Sequence, residues 1–168
     1  VVRNELNRLI QAACEKSNAV MDEILDVVIG GNTTMLTLAA AINPKPLGRL
    51  PFTVDITGGA SYAAKEFGLD INPAGRVYVP PIVHAFIGSD ITAGVLACGC
   101  LEKKKPSLFV DVGTNGEMGI NNDGRFIVAS TAAGPAFEGM GVSSGIRAVP
   151  GAVESAYFDG ETIDVKTI

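Results

Sequence analysis

The sequence predicts an α/β fold with mixed sheets, flanking helices and two partial lobes, and three observations carry that reading. A strand–turn–helix pattern occurs twice in the first hundred residues, at "DVVIGGNTTMLTLAAAI" and at "RVYVPP" followed by "GSDITAGVLACGCLE". After "KKKP" the character changes, and three short strands follow one another with no helix between them. The break places a lobe boundary near Lys103 to Pro106, with residues 1–106 in a first lobe and 107–168 opening a second.

Taken in order, Leu6, Leu9, Ile10 and Ala13 recur at helical spacing, so residues 4–16 form an amphipathic helix with a charged outer face. Val27 to Ile29 form a short buried strand, the glycine pair allows a sharp turn, and Asn32 or Thr33 caps a helix running to about Ile42. Proline and glycine are dense from Asn43 to Gly59, which predicts an extended surface connection, and Ala60 to Phe67 follow as a short helix. "RVYVPP" is a second strand, and the helix after it is capped by Ser89 or Asp90. Leu108 to Val110, Glu117 to Ile120 and Arg125 to Ser130 are strands, the last two joined by "NNDG", whose Asn and Gly accept positive φ. "STAAGPAFEGMGVSSGI" predicts a loop and a helix, and "AVESAYFDGETIDVKTI" a hairpin turned at Asp159 and Gly160.

Composition narrows the function classes. At 168 residues and 47% hydrophobic content the chain can bury one sizeable core or two small lobes. The longest apolar stretch, Ile91 to Leu101, is shorter than the ~18 residues that read as a membrane span, and no signal segment opens the chain, so a cytoplasmic location is expected. A first residue of Val points to a piece of a longer chain. Cys14, Cys98 and Cys100 form no disulfide framework and lack zinc-site spacing, so buried thiols are expected. A net charge of −5 with no basic run beyond Lys103 to Lys105 argues against nucleic acid. A bound phosphate would therefore need backbone N–H groups or a metal.

The stretch "FVDVGTNGEMGI" gives that need a candidate. A buried strand ends in a carboxylate, and the chain then turns through Gly113, Thr114, Asn115 and Gly116. Glycines permit positive φ and close backbone approach, so N–H groups of the turn can point at a phosphate while Thr114 or Asn115 adds a side-chain donor. Asp111 can hold hydrated Mg²⁺ or orient a water. Taken alone, the seven residues favour a plain tight turn. "STAAGPAFEGMG" shifts the balance, because loops after the first and third strands of a meander can lie at one end of the sheet. Gly134, Gly139 and Gly141 would then face the same ligand. Glu138 would be a water-orienting or metal-linked carboxylate, or a solvated residue at a helix start.

The order of a strand ending D-x-G-T, a hairpin, and S-T-A-x-G resembles the second phosphate segment of the actin, sugar-kinase and heat-shock-chaperone ATPases, with their ribonuclease-H-like lobes. More closely, "VIGGNTTM", "PLGRLPF", "IGSDITAGVLACG", "DVGTNGEM" and "STAAGPAFEGMGVSSGIRAVPGA", spanning roughly residues 26–152, resemble the C-terminal ATPase domain of the reductive activators of corrinoid iron–sulfur proteins. The resemblance implies an actin-like fold, ATP and Mg²⁺ as cofactors, and ATP hydrolysis coupled to electron delivery that regenerates Co(I). The implied partner is a corrinoid iron–sulfur protein or a corrinoid methyltransferase component, with a homodimer as a further option. Residue by residue, it gives Asp111 the metal or water role, Gly113, Thr114, Asn115 and Gly116 the phosphate turn, and Gly134 and the Phe137 to Gly139 turn the glycine loop. Asn32 and Thr33 match a helix start.

The family's first phosphate turn, D-x-G-T-T, its adenosine-binding glycine pair and its [2Fe–2S] segment are not found in these residues, so the cluster is expected in an N-terminal region outside them. On its own this fragment is expected to be inactive. The other readings are a docking or dimerisation module for a corrinoid protein and an actin-like small-molecule kinase. His84 is expected to be a satisfied core residue, Met118 and Met140 core filler, Asp90 an N-cap and Arg147 an exposed helix-end residue.

Overall fold

The computed structural model describes residues 1–136 and 138–168. Helix α1 spans Val2–Ser17, strand β1 Asp26–Val28 and helix α2 Thr33–Ala39. Strand β2 (Ala60–Ala63) runs directly into α3 (Ala64–Phe67), and β3 (Arg76–Val79) precedes α4 (Ser89–Ala97). The meander is β4 (Ser107–Val112), β5 (Asn115–Asn122) and β6 (Arg125–Ala132), and a hairpin of β7 (Val153–Phe158) and β8 (Ile163–Thr167) ends the chain.

The first sheet has the order β1-β3-β2 and is mixed, with β1 parallel and β2 antiparallel to β3. Val77 and Val79 of β3 are fully buried and pack with Leu36, Phe67, Leu69 and Ile71 into the main core. The Arg3 guanidinium on α1 donates to Ala39 O at 3.1 Å, Ala40 O at 2.8 Å and Glu66 O at 2.7 Å. It thereby satisfies carbonyls that the ends of α2 and α3 leave without helical partners.

The two strand–turn–helix motifs meet at their glycines. Ser89 N and Asp90 N donate to Gly31 O at 2.9 and 3.3 Å, and Gly31 N donates to Ser89 Oγ at 3.2 Å. Thr33 Oγ1 donates to His84 O at 2.8 Å. A Cβ on Gly88 would lie 2.5 Å from Asn32 Cα and from Gly31 O, so only glycine permits this approach.

The second core lies between α4 and the meander, where Ile87, Ile91, Val95 and Cys100 pack against Phe109, Phe126 and Val128. Buried Asn121 donates from Nδ2 to Cys100 O at 2.9 Å, joining β5 to the end of this layer.

Several expectations are corrected. Ala60 to Ala63 form a strand, because pairing with β3 outweighs the helical preference of an Ala-rich run. Helix α4 has Gly88 at its N-cap with no side-chain cap, since the Ser89 hydroxyl is engaged by Gly31 and Asp90 Oδ1 accepts from the adjacent Ile91 N. It ends at Ala97, and Gly99, at φ 59°, begins a separate 3₁₀ turn over Cys100–Glu102. Among the described residues no helix follows Gly134, where turns and bends run to β7. Cys14 and Cys100 are buried but Cys98 is exposed. His84 is exposed, its ring centroid 6.4 Å from that of Phe86, because the 84–87 turn buries Ala85 and Ile87 instead. Met118 and Met140 are exposed too, Met118 because it shares the outer face of the meander with Leu108, Val110, Ile120 and Ile127, which are also exposed. No helix among the described residues is long and apolar enough to cross a membrane.

Two predictions follow from these contacts. Gly88→Ala should destabilise by about 2–4 kcal/mol, because the clash is with backbone, whereas Gly48→Ala, which meets nothing within 4 Å, should stay within ~0.5 kcal/mol; thermal midpoints of the two variants check this. In the β7–β8 turn the Asp159 carboxylate accepts from Thr162 N at 2.7 Å, Glu161 N at 2.8 Å and Thr162 Oγ1 at 2.9 Å. These bonds, the Thr162 backbone N–H first, hold its pKa below the ordinary aspartate range. A depressed folded pKa means that the turn's contribution is present above the unfolded value and is lost as pH falls through the folded one. A carboxyl NMR titration should place the Asp159 midpoint below the ordinary aspartate value of about 3.9.

Candidate functional site

The β4–β5 hairpin is centred on Thr114. Val112 pairs with Gly116, Asp111 with Glu117 and Phe109 with Gly119, while Gly113 N donates to Asn115 O at 2.9 Å to close the turn. Directly paired residues of antiparallel strands share a face, so Asp111 and Glu117 project together. The next pairing sets Ser130 of β6 beside Glu117, and Ser130 Oγ donates to Glu117 Oε1 at 3.1 Å. This polar row continues the face whose Phe109 and Val128 pack on α4.

The turn after β4 and the loop after β6 lie at the same end of the sheet and are bonded to each other. Gly134 N donates to Thr114 O at 2.7 Å, and Thr114 Oγ1 donates to Glu138 Oε1. Asp111, Thr114, Asn115 and Glu138 are exposed and Glu117 is half-buried. The ion pairs among the described residues are Arg8–Glu5 and Lys166–Glu154, so neither Asp111 nor Glu117 is neutralised by a described basic side chain.

The glycines divide by what the backbone demands. Gly134, at φ 86°, is in the left-handed region, where a Cβ would meet nothing within 4 Å. Gly139 is at φ 76°, and its Cβ would fall 2.2 Å from Ile146 O, so it serves the loop's own close packing. Gly113 and Gly116 are outside the positive-φ region, contrary to the expectation for this turn. A Cβ on Gly113 would find only an ordinary contact, with Asn115 O at 3.6 Å. Neither conformation nor packing therefore requires glycine at 113.

Asn32 lies apart from this cluster and caps α2, its Oδ1 accepting from Met35 N at 2.9 Å. Arg147 is exposed in a turn segment, with Nε donating to Met140 Sδ at 3.3 Å. It lines, with Glu138, Gly139, Met140, Gly145 and Ile146, a cavity of about 680 Å³ beside the loop. Phe137 lies outside the described residues. Among those described, no group of three or more His, Cys, Asp or Glu gathers as a metal cluster. Asp111 and Glu117 nonetheless suit a hydrated Mg²⁺, which takes one or two carboxylates and completes its shell with water and phosphate oxygens. Glu117 was missed as a site residue, although any hairpin centred on Thr114 pairs positions equidistant from it.

The chain is similar to known proteins over nearly its whole length. Residues 1–103 match the family model of the RACo middle region, and residues 105–168 that of the C-terminal domain of RACo, the ASKHA domain. The corrinoid activation enzyme RamQ of Eubacterium limosum is 39% identical over 167 residues, covering 99% of this chain and 28% of that protein. The Co(II) methylated amine-specific corrinoid protein reductase of Methanosarcina barkeri is 44% identical over 99 residues, covering 59% of this chain and 18% of the relative. A solved structure of a reductive activator for corrinoid, iron–sulfur protein superposes with a TM-score of 0.82 at 36% identity, over 98% of this chain and 27% of that one. The chain thus spans less than a third of the length of each.

The site's geometry yields one backbone test. Gly134→Ala should cost about 1–2 kcal/mol from its left-handed backbone alone, and Gly134→Asn less, since Asn tolerates that region; denaturant midpoints compare the two.

Proposed function

The chain belongs to the RACo family, with an actin-like α/β fold, and on that premise we propose that it supplies a phosphate-binding part of an ATP-dependent reductive activator. In the full-length protein, ATP hydrolysis accompanies delivery of an electron that returns a partner's corrinoid cobalt from Co(II) to Co(I). The partner is a corrinoid protein, in keeping with the names of the relatives. The lobes divide near Lys103 to Pro106, where the mixed sheet and α4 give way to the meander.

One observation carries the reading. The Thr114 turn and the Gly134 loop, far apart in sequence, are joined at one sheet end by the 2.7 Å bond from Gly134 N to Thr114 O, so a single phosphate chain can touch both. Gly113 supports it, because a glycine that the fold does not require leaves room for a ligand oxygen against the backbone. In this reading Thr114 donates its hydroxyl to a phosphate oxygen and Asn115 and Gly116 shape the turn. Asp111, with Glu117 beside it, holds hydrated Mg²⁺, and Glu138 orients water. Mg²⁺, when bound, neutralises phosphate charge and polarises a phosphoryl oxygen.

The residues present do not fit an iron–sulfur cluster. Such clusters take four cysteine thiolates, whereas this chain has three cysteines, with Cys14 and Cys100 buried and Cys98 exposed. Electron entry is assigned to residues outside this chain.

Asp111→Asn in the full-length activator separates function from fold. It keeps size and removes the charge that favours the metal, so ATP hydrolysis should fall about 10²-fold, equivalent to roughly 3 kcal/mol in the transition state. Folding stability should change by about 1 kcal/mol or less at this exposed position. Hydrolysis and Co(II) reduction are measured beside the thermal midpoint, and unchanged turnover with a large drop in midpoint would reassign Asp111 to the fold.

A further inference from the structure

We infer that Glu138 competes with the phosphate for the Thr114 hydroxyl, forming an autoinhibitory latch that the anion must displace. The inference rests on the reading that the Thr114 turn takes phosphate. Two bonds of different character hold the turn to the glycine loop. The backbone bond from Gly134 N to Thr114 O is neutral and can persist when an anion arrives. The side-chain bond from Thr114 Oγ1 to Glu138 Oε1 cannot.

A hydroxyl has a single proton to donate, so it serves one anionic acceptor at a time. Thr114 carries the only hydroxyl in the Gly113 to Gly116 turn, and a carboxylate already occupies it. A phosphate oxygen at the same distance would also meet that carboxylate's charge, and none of the ion pairs among the described residues involves Glu138. Arg147, which lines the same cavity, donates from Nε to Met140 Sδ. Thr114 and Glu138 are both exposed, so the latch is weak enough for a ligand to open.

Phosphate binding then releases the Glu138 carboxylate beside the seated anion, where a water can be oriented. The latch also gives the loop a closed position in the absence of nucleotide. Gly139 and Gly145 stack close behind Glu138, since a Cβ on Gly145 would lie 2.4 Å from Gly139 O. Displacing Glu138 therefore bears on this packed segment as well as on one side chain.

The test titrates the full-length protein with ATP and Mg²⁺ by calorimetry, as wild type, Glu138→Gln, Glu138→Ala, Thr114→Val and the Glu138→Gln/Thr114→Val pair. Glu138→Gln should bind ATP about threefold to tenfold more tightly while its kcat falls, and Glu138→Ala should gain at least as much affinity. Loss of general loop order would instead weaken binding and turnover together. Thr114→Val should weaken binding, and the double variant should bind no more tightly than Thr114→Val alone, because the competition needs the hydroxyl. Unchanged or weaker ATP binding by both Glu138 variants, beside a wild type that binds ATP, overturns the latch and leaves the phosphate reading in place. A wild type that binds no ATP overturns both.

Discussion

The register of β4 against β5 is the constraint on which the site depends. Side chains alternate between faces with a period of two, so a slip of one residue would carry Asp111 to the face that bears Val110 and Val112. The tight turn centred on Thr114 prevents that slip from one end, and buried Asn121, bonded to Cys100 O, fixes β5 at the other. The polar row of Asp111, Glu117 and Ser130 is thereby set on the same face as Phe109 and Val128. A face apolar at one end and acidic at the other places the carboxylates past the edge of the α4 core, with Asp111 exposed and Glu117 half-buried.

That sheet is positioned in turn by α4, which contacts both halves of the chain. Its N-terminus is bonded to Gly31 of the first motif, and its apolar side receives Phe109, whose ring lies where a Cβ on Gly94 would be 2.8 Å away. Glycines at 88 and 94 allow these approaches, and the hydrogen bonds of Ser89 make the first of them specific. A displacement of α4 would therefore be felt at the Thr114 turn through the packed Phe109 ring, without any change in the turn's own residues.

Much of this was legible in the sequence, for identifiable reasons. The β5–β6 turn was readable because Asp123 and Gly124, at φ 48° and 74°, belong to a residue pair that tolerates such angles. The Asn32 cap was readable because capping is local. The illegible features depend on residues distant in sequence. Ser89 looks like an N-cap until Gly31, 58 positions earlier, claims its hydroxyl. Ala60 to Ala63 pass for helix until β3 offers an edge. His84 is placed by a turn that buries its neighbours, and local apolarity cannot say which residue points inward. The joining of Thr114 to Glu138 likewise needed the meander's closure, since the two are 24 positions apart.

Charge sets the last limit on how such a site can work. The chain's one basic run, Lys103 to Lys105, precedes β4 at the end of the sheet opposite the Thr114 turn. Six residues of strand separate them, about 20 Å at strand rise, against a screening length of about 8 Å in physiological salt. Arg125 starts β6 at that same distant end, and Arg147, the one basic residue between Ala133 and Gly151, is directed at a methionine sulfur. The turn itself presents backbone, a hydroxyl and an amide, with Asp111, Glu117 and Glu138 around it. Neutral donors alone cannot offset a polyphosphate's charge beside three carboxylates. On the proposed reading, a phosphate seated there would arrive with its own cation, and Asp111 and Glu117, which would repel a bare anion, would favour the metal-bound one.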